Sequence, residues 1–403
     1  MSDRRIMNVI ILGAGFGGLA CANALRKGGL SQNHRVVVID RKKSFVMGLV
    51  NLWILAGSRR PDEPQTPLAG LNARGIEYLN DEATRIDVPA KKVRVKEHGW
   101  IDYDYLVVAL GSELEPEKIE GFVGRGYNLY DAEQVQLLRE KLLALKQGRV
   151  AVSVMGMPYK CPPAPYEAAM IINDVLEKNG TRKNVQVDMY VPSPIALPPV
   201  GPQVSKEIVD MISSPRYGIR FHPNCKPKVV RDGEIEFESG EKAAYDVLVG
   251  IPPHRSPEVV RSSGLVPVST GEWVPVDGLT LRTVHPDVFA IGDVAEVKSG
   301  SVTVPKAGIF AEGQAKVVAQ EIIDEITKEK EGESNPTLSL STKKAEYDGR
   351  GFCFMEAGNG MAGFVEVDFY HKGGPAVKLE PPSAQNYEKK HDFERSRLKE
   401  WLL

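Results

Sequence analysis

Met7-Asn-Val-Ile-Ile-Leu12 runs directly into Gly13-Ala-Gly15-Phe-Gly-Gly18, and this junction sets the fold. The apolar run reads as a buried strand, the glycines as a turn, and Leu19–Arg26 as a helix. Val36-Val-Val-Ile39 follows as a second strand and ends in Asp40. Strand, glycine turn, helix, strand and acid, in that order, make a dinucleotide-binding unit. Gly13 permits the tight turn, Gly15 lets the backbone approach a pyrophosphate, and Gly18 lets helix and strand pack closely. The start of the helix favours the phosphate charge, and Asp40 can accept hydrogen bonds from a ribose diol. The same glycines interrupt the apolar stretch after Arg4 and Arg5, so no signal peptide is expected.

At 403 residues the chain can hold two or three domains, each with its own core. A hydrophobic fraction of 42% and a charged fraction of 26% are those of an ordinary globular protein. A formal net charge of -2 gives no reason to expect a nucleic acid partner. Four cysteines (Cys21, Cys161, Cys225 and Cys353) are too few for a disulfide-stapled secreted scaffold. No apolar run reaches the roughly 18 residues of a membrane span. The seven histidines lack ligand spacing, so no metal site is expected.

Two later segments choose between FAD and NAD for the first unit. Tyr103-Asp-Tyr-Leu-Val-Val-Ala-Leu-Gly111 is a buried-type strand ending in a glycine turn. Val284-His-Pro-Asp-Val-Phe-Ala-Ile-Gly292-Asp293 is another, ending in Gly-Asp. Together they resemble the second and third flavin signatures of the two-dinucleotide-domain flavoproteins, in which the aspartate, here Asp293, binds the ribityl chain. Ala109-Leu-Gly111 departs mildly from the usual Ala-Thr-Gly, since the glycine does the turning. The resemblance implies FAD and an α/β fold with two Rossmann-like dinucleotide-binding domains plus a small C-terminal domain. An FAD domain split over residues 1–115 and 275–325 would enclose a degenerate nucleotide-binding-like domain over 116–274. Residues 326–403 would form a C-terminal region covering the flavin or contacting a partner or a membrane.

Arg149-Val-Ala-Val-Ser-Val154 is the expected first strand of the second unit. Its turn, Met155-Gly-Met-Pro-Tyr-Lys-Cys161-Pro-Pro163, has one glycine where a phosphate turn needs three. Pro158, Pro162 and Pro163 remove amide donors and restrict the backbone. The next strand, Val185–Val191, leads into Pro-Ser with no acid for a ribose. The backbone fold tolerates these changes but nicotinamide binding does not, which leaves an NAD(P)H-dependent reductase a distant third reading. Pro162 and Pro163 suit the start of a helix continued by the spacing of Tyr166–Leu176, so Cys161 falls at or near an N-cap. The helix field there favours the thiolate, the form that attacks sulfur; the plain alternative is a buried structural cysteine.

Lys160-Cys161-Pro-Pro-Ala-Pro-Tyr166-Glu167 resembles a motif of the sulfide:quinone oxidoreductases and of the flavoprotein subunit of flavocytochrome c sulfide dehydrogenase. That family carries a second cysteine in Gly-x-Cys-x-x-Glu-x-Gly, matched by Gly351-Phe-Cys353-Phe-Met-Glu356-Ala-Gly358. Val304-Pro-Lys306-Ala-Gly308-Ile-Phe-Ala-Glu312-Gly-Gln314 resembles its Pro-Lys segment beside the flavin. The resemblance implies a redox disulfide of Cys161 and Cys353 over the flavin. Sulfide attacks it and leaves a persulfide on one cysteine and a thiolate on the other. Cys353, the thiolate nearer the flavin, would pass two electrons to FAD. Glu167 would relay protons, and Lys306 would stabilise reduced flavin at its N1/O2 edge; the alternative for Lys306 is an ordinary surface lysine.

The sequence also departs from the family. Many quinone-reducing members carry a third cysteine before the helix that follows the second flavin signature, where Gly121–Gln134 has Tyr130-Asp-Ala132. Flavocytochrome relatives attach FAD through a cysteine in the loop after the second strand, where Ser44–Trp53 has none. FAD is therefore expected to be non-covalent. The same absence argues against coenzyme A disulfide reductases, and the CxxxxC dithiol of glutathione reductase-like enzymes is missing. The expected activity is oxidation of sulfide with a quinone as acceptor; the alternative is a flavoprotein that hands electrons to a cytochrome. The expected location is the cytoplasmic side, soluble or peripheral to a membrane, and a homo-oligomer is compatible with the sequence.

Cys21, among small apolar residues of the first helix, reads as packing, and Cys225, in a turn before a strand, is assigned no role. Phe45–Ala56 is too short to span a bilayer and reads as core or interdomain packing. Gly308–Ile326 reads as a helix, Thr327–Lys344 as a surface linker, and Phe352–Met355 and Gly363–Phe369 as strands. Asp392–Leu403 sets Phe393, Trp401, Leu402 and Leu403 beside Arg395, Arg397 and Lys399. Such a segment either lies in a membrane interface or docks as a helix on protein.

Overall fold

The computed structural model describes residues 5–63, 65–267, 271–332 (329–332 as backbone only) and 345–403. Asn8–Leu12 is the central strand of a five-stranded parallel sheet. Its spatial order is Val288–Ala290, Tyr105–Val108, Asn8–Leu12, Arg35–Asp40 and Glu77–Asn80. A parallel sheet is covered on both faces, which is why its central strands are unbroken apolar runs. Val9–Leu12, Val36–Ile39 and Leu106–Val108 are all buried. The helices Phe16–Lys27 and Gly308–Gly332 pack on each other over this sheet.

The strand Val288–Ala290 joins the first sheet only after the chain has built a second. That second sheet is also parallel and five-stranded, in the order Tyr127–Asn128, Val247–Ile251, Gly148–Val154, Val185–Tyr190 and Arg220–His222. The fold is thus α/β with two Rossmann-like sheets, the class expected from the motifs. Helix Val50–Ala56 packs Leu52, Ile54 and Leu55 into the core of the second unit, in contact with the Ala132–Ala144 and Ala164–Lys178 helices, and its buried Trp53 stacks on the His391 ring at 4.4 Å. The apolar run there is interdomain packing.

The C-terminal part holds three antiparallel strands, Arg350–Glu356, Ala362–Asp368 and Ala376–Ser383, followed by helix Ala384–Trp401. The third strand, and the full length of the helix, escaped the sequence reading. The expected linker over Thr327–Lys344 is helical as far as Gly332, and 333–344 lie outside the described residues. Of the two readings of the last segment, the structure shows the docked helix. Trp401 is 2% exposed, with its ring edge-on to Phe16 at 5.5 Å and Phe45 at 6.1 Å. Leu402 is buried beside it, whereas Leu403 is exposed. Arg397 pairs with buried Glu312 at 2.9 Å, so part of the basic character is spent within the protein. No helix among the described residues is long and apolar enough to cross a membrane.

Candidate active site between the sheets and the C-terminal strands

Leu12, Val108 and Ala290 end neighbouring parallel strands, so the turns that follow them collect along one edge of the first sheet. Gly13 has φ +98°, and a Cβ there would lie 2.4 Å from the Ala109 carbonyl oxygen. A Cβ on Gly18 would lie 1.8 Å from the Gly13 oxygen, whereas one on Gly15 would meet nothing within 4 Å. The turn is therefore tight where strand and helix meet and open at Gly15, the shape a pyrophosphate requires. Asp40 is tied to this turn, accepting from the Ala14 amide at 2.7 Å and the Lys42 amide at 2.8 Å. Gly111 (φ +67°) and Gly292 (φ +74°) make the other two turns in left-handed backbone that favours glycine. Asp293 follows Gly292, and burial raises its carboxyl above the usual range against the opposing pull of Lys160 and Lys306. These residues fit FAD.

Cys161 and Cys353 arrive from separate layers. Cys161 lies in the turn after Gly148–Val154, in left-handed backbone at φ +51°, with its amide donating to the Lys306 carbonyl at 2.7 Å. Its carbonyl accepts from the Ala164 amide at 2.9 Å, the residue at which the helix begins. Cys353 lies mid-strand in Arg350–Glu356. Side chains alternate along a strand, so Cys353 and Met355 share one face, and Met355 belongs to the core of the second unit. Both thiols are half-buried and close enough for Cys161 to influence the protonation of Cys353. All four cysteines are free thiols in this structure.

Their electrostatics correct one expectation. Burial pushes the Cys161 thiol up to about 12, and Glu167 adds to the rise, while Lys390 and the Ala164 amide oppose it. Cys353 is raised well above its ordinary value, by burial first and then by Cys161 and Glu167. The expected thiolate at a helix start is therefore not favoured in the dithiol: desolvation of an anion outweighs the helix field. Cys21 is a fully buried packing residue, as read. Cys225 is also buried, its Sγ 3.3 Å from the Pro223 carbonyl.

Glu167 has a partner that nothing in the sequence announced. Its Oε1 accepts from the Glu356 amide at 2.8 Å and from Lys390 Nζ at 3.0 Å. Lys390 also donates to Glu356 Oε2 at 2.7 Å. The three side chains are 1%, 0% and 3% exposed for Glu167, Lys390 and Glu356. This buried Glu–Lys–Glu triad joins the Cys161 helix, the Cys353 strand and the C-terminal helix. Burial raises the Glu167 carboxyl, with Lys390 pulling it down. Glu356 stands in the second cysteine motif, so its spacing was a signal. Lys390 lies in a charged stretch and carried none.

Lys306 is buried (7% exposed) and not the surface lysine of the alternative reading. Nζ donates to the Asp293 carbonyl at 2.5 Å and the Ala295 carbonyl at 3.2 Å, and lies 3.5 Å from the centre of the Trp273 ring. Burial lowers it to about 8, against the opposing effect of Asp293. Tyr130 occupies the stretch before the helix Ala132–Ala144; its hydroxyl donates to the Lys160 carbonyl, and Lys160 Nζ lies 5.3 Å from the ring centre. A groove of about 1170 Å³, lined in part by Gly148, Arg149 and Val185, opens at the opposite end of the second sheet, away from this chemistry.

Residues 7–315 match the pyridine nucleotide-disulphide oxidoreductase family, and the chain belongs to it. It is an FAD-dependent oxidoreductase. The sulfide-quinone reductase of Aquifex aeolicus (strain VF5) is 26% identical over 338 residues, 79% of this chain and 76% of that protein. The mitochondrial sulfide:quinone oxidoreductase of Dictyostelium discoideum is 28% identical over 312 residues, 73% of this chain and 66% of that protein. The solved sulfide:quinone oxidoreductase of the hyperthermophilic bacterium Aquifex aeolicus aligns with a TM-score of 0.81 over 97% of this chain and 90% of its own, at 24% identity. That structural likeness speaks for the fold alone. The relatives are of the kind to which the cysteine motifs pointed.

Proposed function

We propose that the protein oxidises sulfide through Cys161 and Cys353 and passes the electrons, by way of FAD, to a quinone. The observation that carries this reading is the pair of thiols, brought from the second unit and from the C-terminal strands to a common buried triad. Hydrosulfide attacks the oxidised pair; one S–S bond forms as the other breaks, leaving a persulfide and a thiolate. Bound FAD supplies the two-electron acceptor. Glu167, raised by burial, takes up or returns a proton near the thiols, and Lys390 keeps it ionisable inside the protein. Lys306 adds positive charge beside the Gly292-Asp293 turn.

Quinone as the acceptor is favoured by the aromatic face opposite Cys353. Phe352 and Phe354 alternate with it along the strand and pack with Phe364 and Phe393, with ring centres 5.3–6.2 Å apart. Phe352, Phe364 and Phe393 keep part of their surface exposed, a setting that suits a flat apolar ring.

Anaerobic mixing of the holoenzyme with sulfide should bleach the oxidised flavin band. Cys161→Ser and Cys353→Ser should each lower that rate by a factor of about 10³ or more, as removal of a nucleophile-forming pair does. FAD content should be unchanged, and Cys225→Ser should behave as wild type. A short-chain quinone should then restore the oxidised spectrum faster than cytochrome c. Wild-type sulfide oxidation in both cysteine variants would remove the reading.

A further inference from the structure

His254 follows the strand Val247–Ile251, whose end lies beside Val154 and hence beside the turn that carries Cys161. Its side chain is 5% exposed. Nδ1 lies 2.9 Å from the Pro252 carbonyl oxygen, which only accepts, so Nδ1 holds the proton and Nε2 a bare lone pair. Nε2 has no hydrogen-bond partner among the described residues. Other buried side-chain atoms, Ser256 Oγ among them, also have no partner among the described residues; what sets His254 Nε2 apart is its place beside Lys160 and the turn that carries Cys161.

The surroundings define the donor that Nε2 would take. The Tyr130 ring stands edge-on to His254 at 5.3 Å, and Lys160 Nζ lies over the same ring. The ammonium groups of Lys160 and Lys306 are both within electrostatic reach of His254, and Asp293 is within reach of both lysines. On the short strand that pairs with His254, Glu113 is engaged by Arg255 at 3.2 Å, and the nearby Glu115 at 2.9 Å. Burial lowers the Lys160 ammonium and Asp293 opposes that fall, so the site offers a cation shared with Asp293 and a neutral acceptor, the cation next in sequence to Cys161. Its complement is a small anion that carries one hydrogen.

We propose that His254 Nε2 and the Lys160 ammonium form the docking subsite for hydrosulfide. This rests on the sulfide-oxidising reading above and assigns the residues that orient its substrate. The S–H donates to Nε2, the negative charge faces Lys160, and the remaining lone pairs turn toward the Cys161 sulfur. Attack forms a bond between the incoming sulfur and Cys161 Sγ and breaks the bond to Cys353, which leaves with the electron pair. The proton stays on the terminal sulfur of the new persulfide, still held by His254. Burial, and then Lys160, lower the imidazole to about 3, so it remains an acceptor at every pH where hydrosulfide is abundant.

The test is rapid mixing of holoenzyme with sulfide over a concentration series, for wild type, His254→Leu, His254→Gln and Lys160→Met. Cyanide, an anionic nucleophile with no hydrogen on its attacking atom, serves as the comparison, read by mass spectrometry as thiocyanate on Cys161. His254→Leu should raise the half-saturating sulfide concentration about tenfold, with the limiting rate, FAD content and cyanide labelling little changed. His254→Gln, which restores an oxygen acceptor, should stay within about threefold of wild type. Lys160→Met should weaken the response to both anions by about tenfold. An unchanged sulfide dependence in His254→Leu or in Lys160→Met would overturn the subsite. So would loss of FAD or of cyanide labelling in His254→Leu, which would assign the residue to the cofactor or the fold; Lys160→Met would still judge the cation arm. Failure of sulfide to bleach the wild-type flavin would instead defeat the parent reading.

Discussion

At the scale of single residues, desolvation rather than helix position governs the two thiols. With Cys161 raised to about 12, the dithiol enzyme is protonated at neutral pH, and the form poised for sulfide is the oxidised pair. Alkylation of Cys161 by iodoacetamide in the reduced protein should therefore be slow at pH 7 and climb about tenfold per pH unit to pH 10 without levelling. A plateau near pH 8.5, by peptide mass spectrometry, would contradict this environment. Lys306 gives a second residue-level expectation. Its folded value of about 8 lies below the ordinary lysine value, so between about 8 and 10.5 the unfolded chain binds more protons. Lys306 thus contributes a stability that rises with pH across that window. The melting temperature of wild-type holoenzyme should gain on that of Lys306→Met as pH increases from 8 to 10, and a constant difference would refute it.

At the scale of elements, the C-terminal helix does most to complete the site. Its inward face carries Asn386, Lys390 and Glu394 about one turn apart and Trp401 two turns further on, and all are buried. Two of these are charged and held by ion pairs, Lys390 in the triad and Glu394 with Arg59 at 2.7 Å. Hydrophobic periodicity cannot find such a face, because its buried positions before Trp401 are polar or charged. Lys390→Met should cost about 3–5 kcal/mol in urea unfolding, since two buried carboxylates lose the cation they share. In the variant the Glu167 carboxyl, already raised by burial, loses the opposing pull of Lys390 and holds its proton to higher pH, so the folded state binds more protons and stability falls as pH rises. The deficit should consequently be smaller at pH 5 than at pH 8. Trp401→Ala should cost about 3–5 kcal/mol, from the cavity left against Phe16 and Phe45.

For the whole molecule, the second sheet retains the nucleotide-binding architecture while its turn does other work. Tyr159 is buried there with its hydroxyl on the Pro162 carbonyl at 3.0 Å, and the Cys161 amide is committed to Lys306. A Cβ on Gly156, the turn's one glycine, would lie 2.9 Å from Pro253. The Cys161 amide and the space beside Gly156 are thus not open to a phosphate. NADH should therefore leave the flavin band unbleached on the timescale in which sulfide bleaches it; rapid bleaching by NADH would refute this. Acid precipitation should release FAD into the supernatant, because Ser44–Trp53 carries no cysteine to retain it.

The fold was legible in the chain because it depends on local pattern, and the cofactor through the resemblance of two later turns to flavin signatures. A glycine turn at the end of an apolar run constrains the backbone wherever it occurs: Gly13, Gly111 and Gly292 make such turns, and Gly15 and Gly18 stand where the first turn enters its helix. The cysteine motifs were legible as motifs. Their protonation was not, because it depends on how much protein surrounds each sulfur and on Glu167 and Lys390 beside it. Lys390 and His254 have no local signature. A lysine becomes an active-site counter-charge, and a histidine an unpartnered acceptor, only when distant segments exclude water around them. Desolvation and long-range charge pairing arise on packing, and no window of sequence contains them.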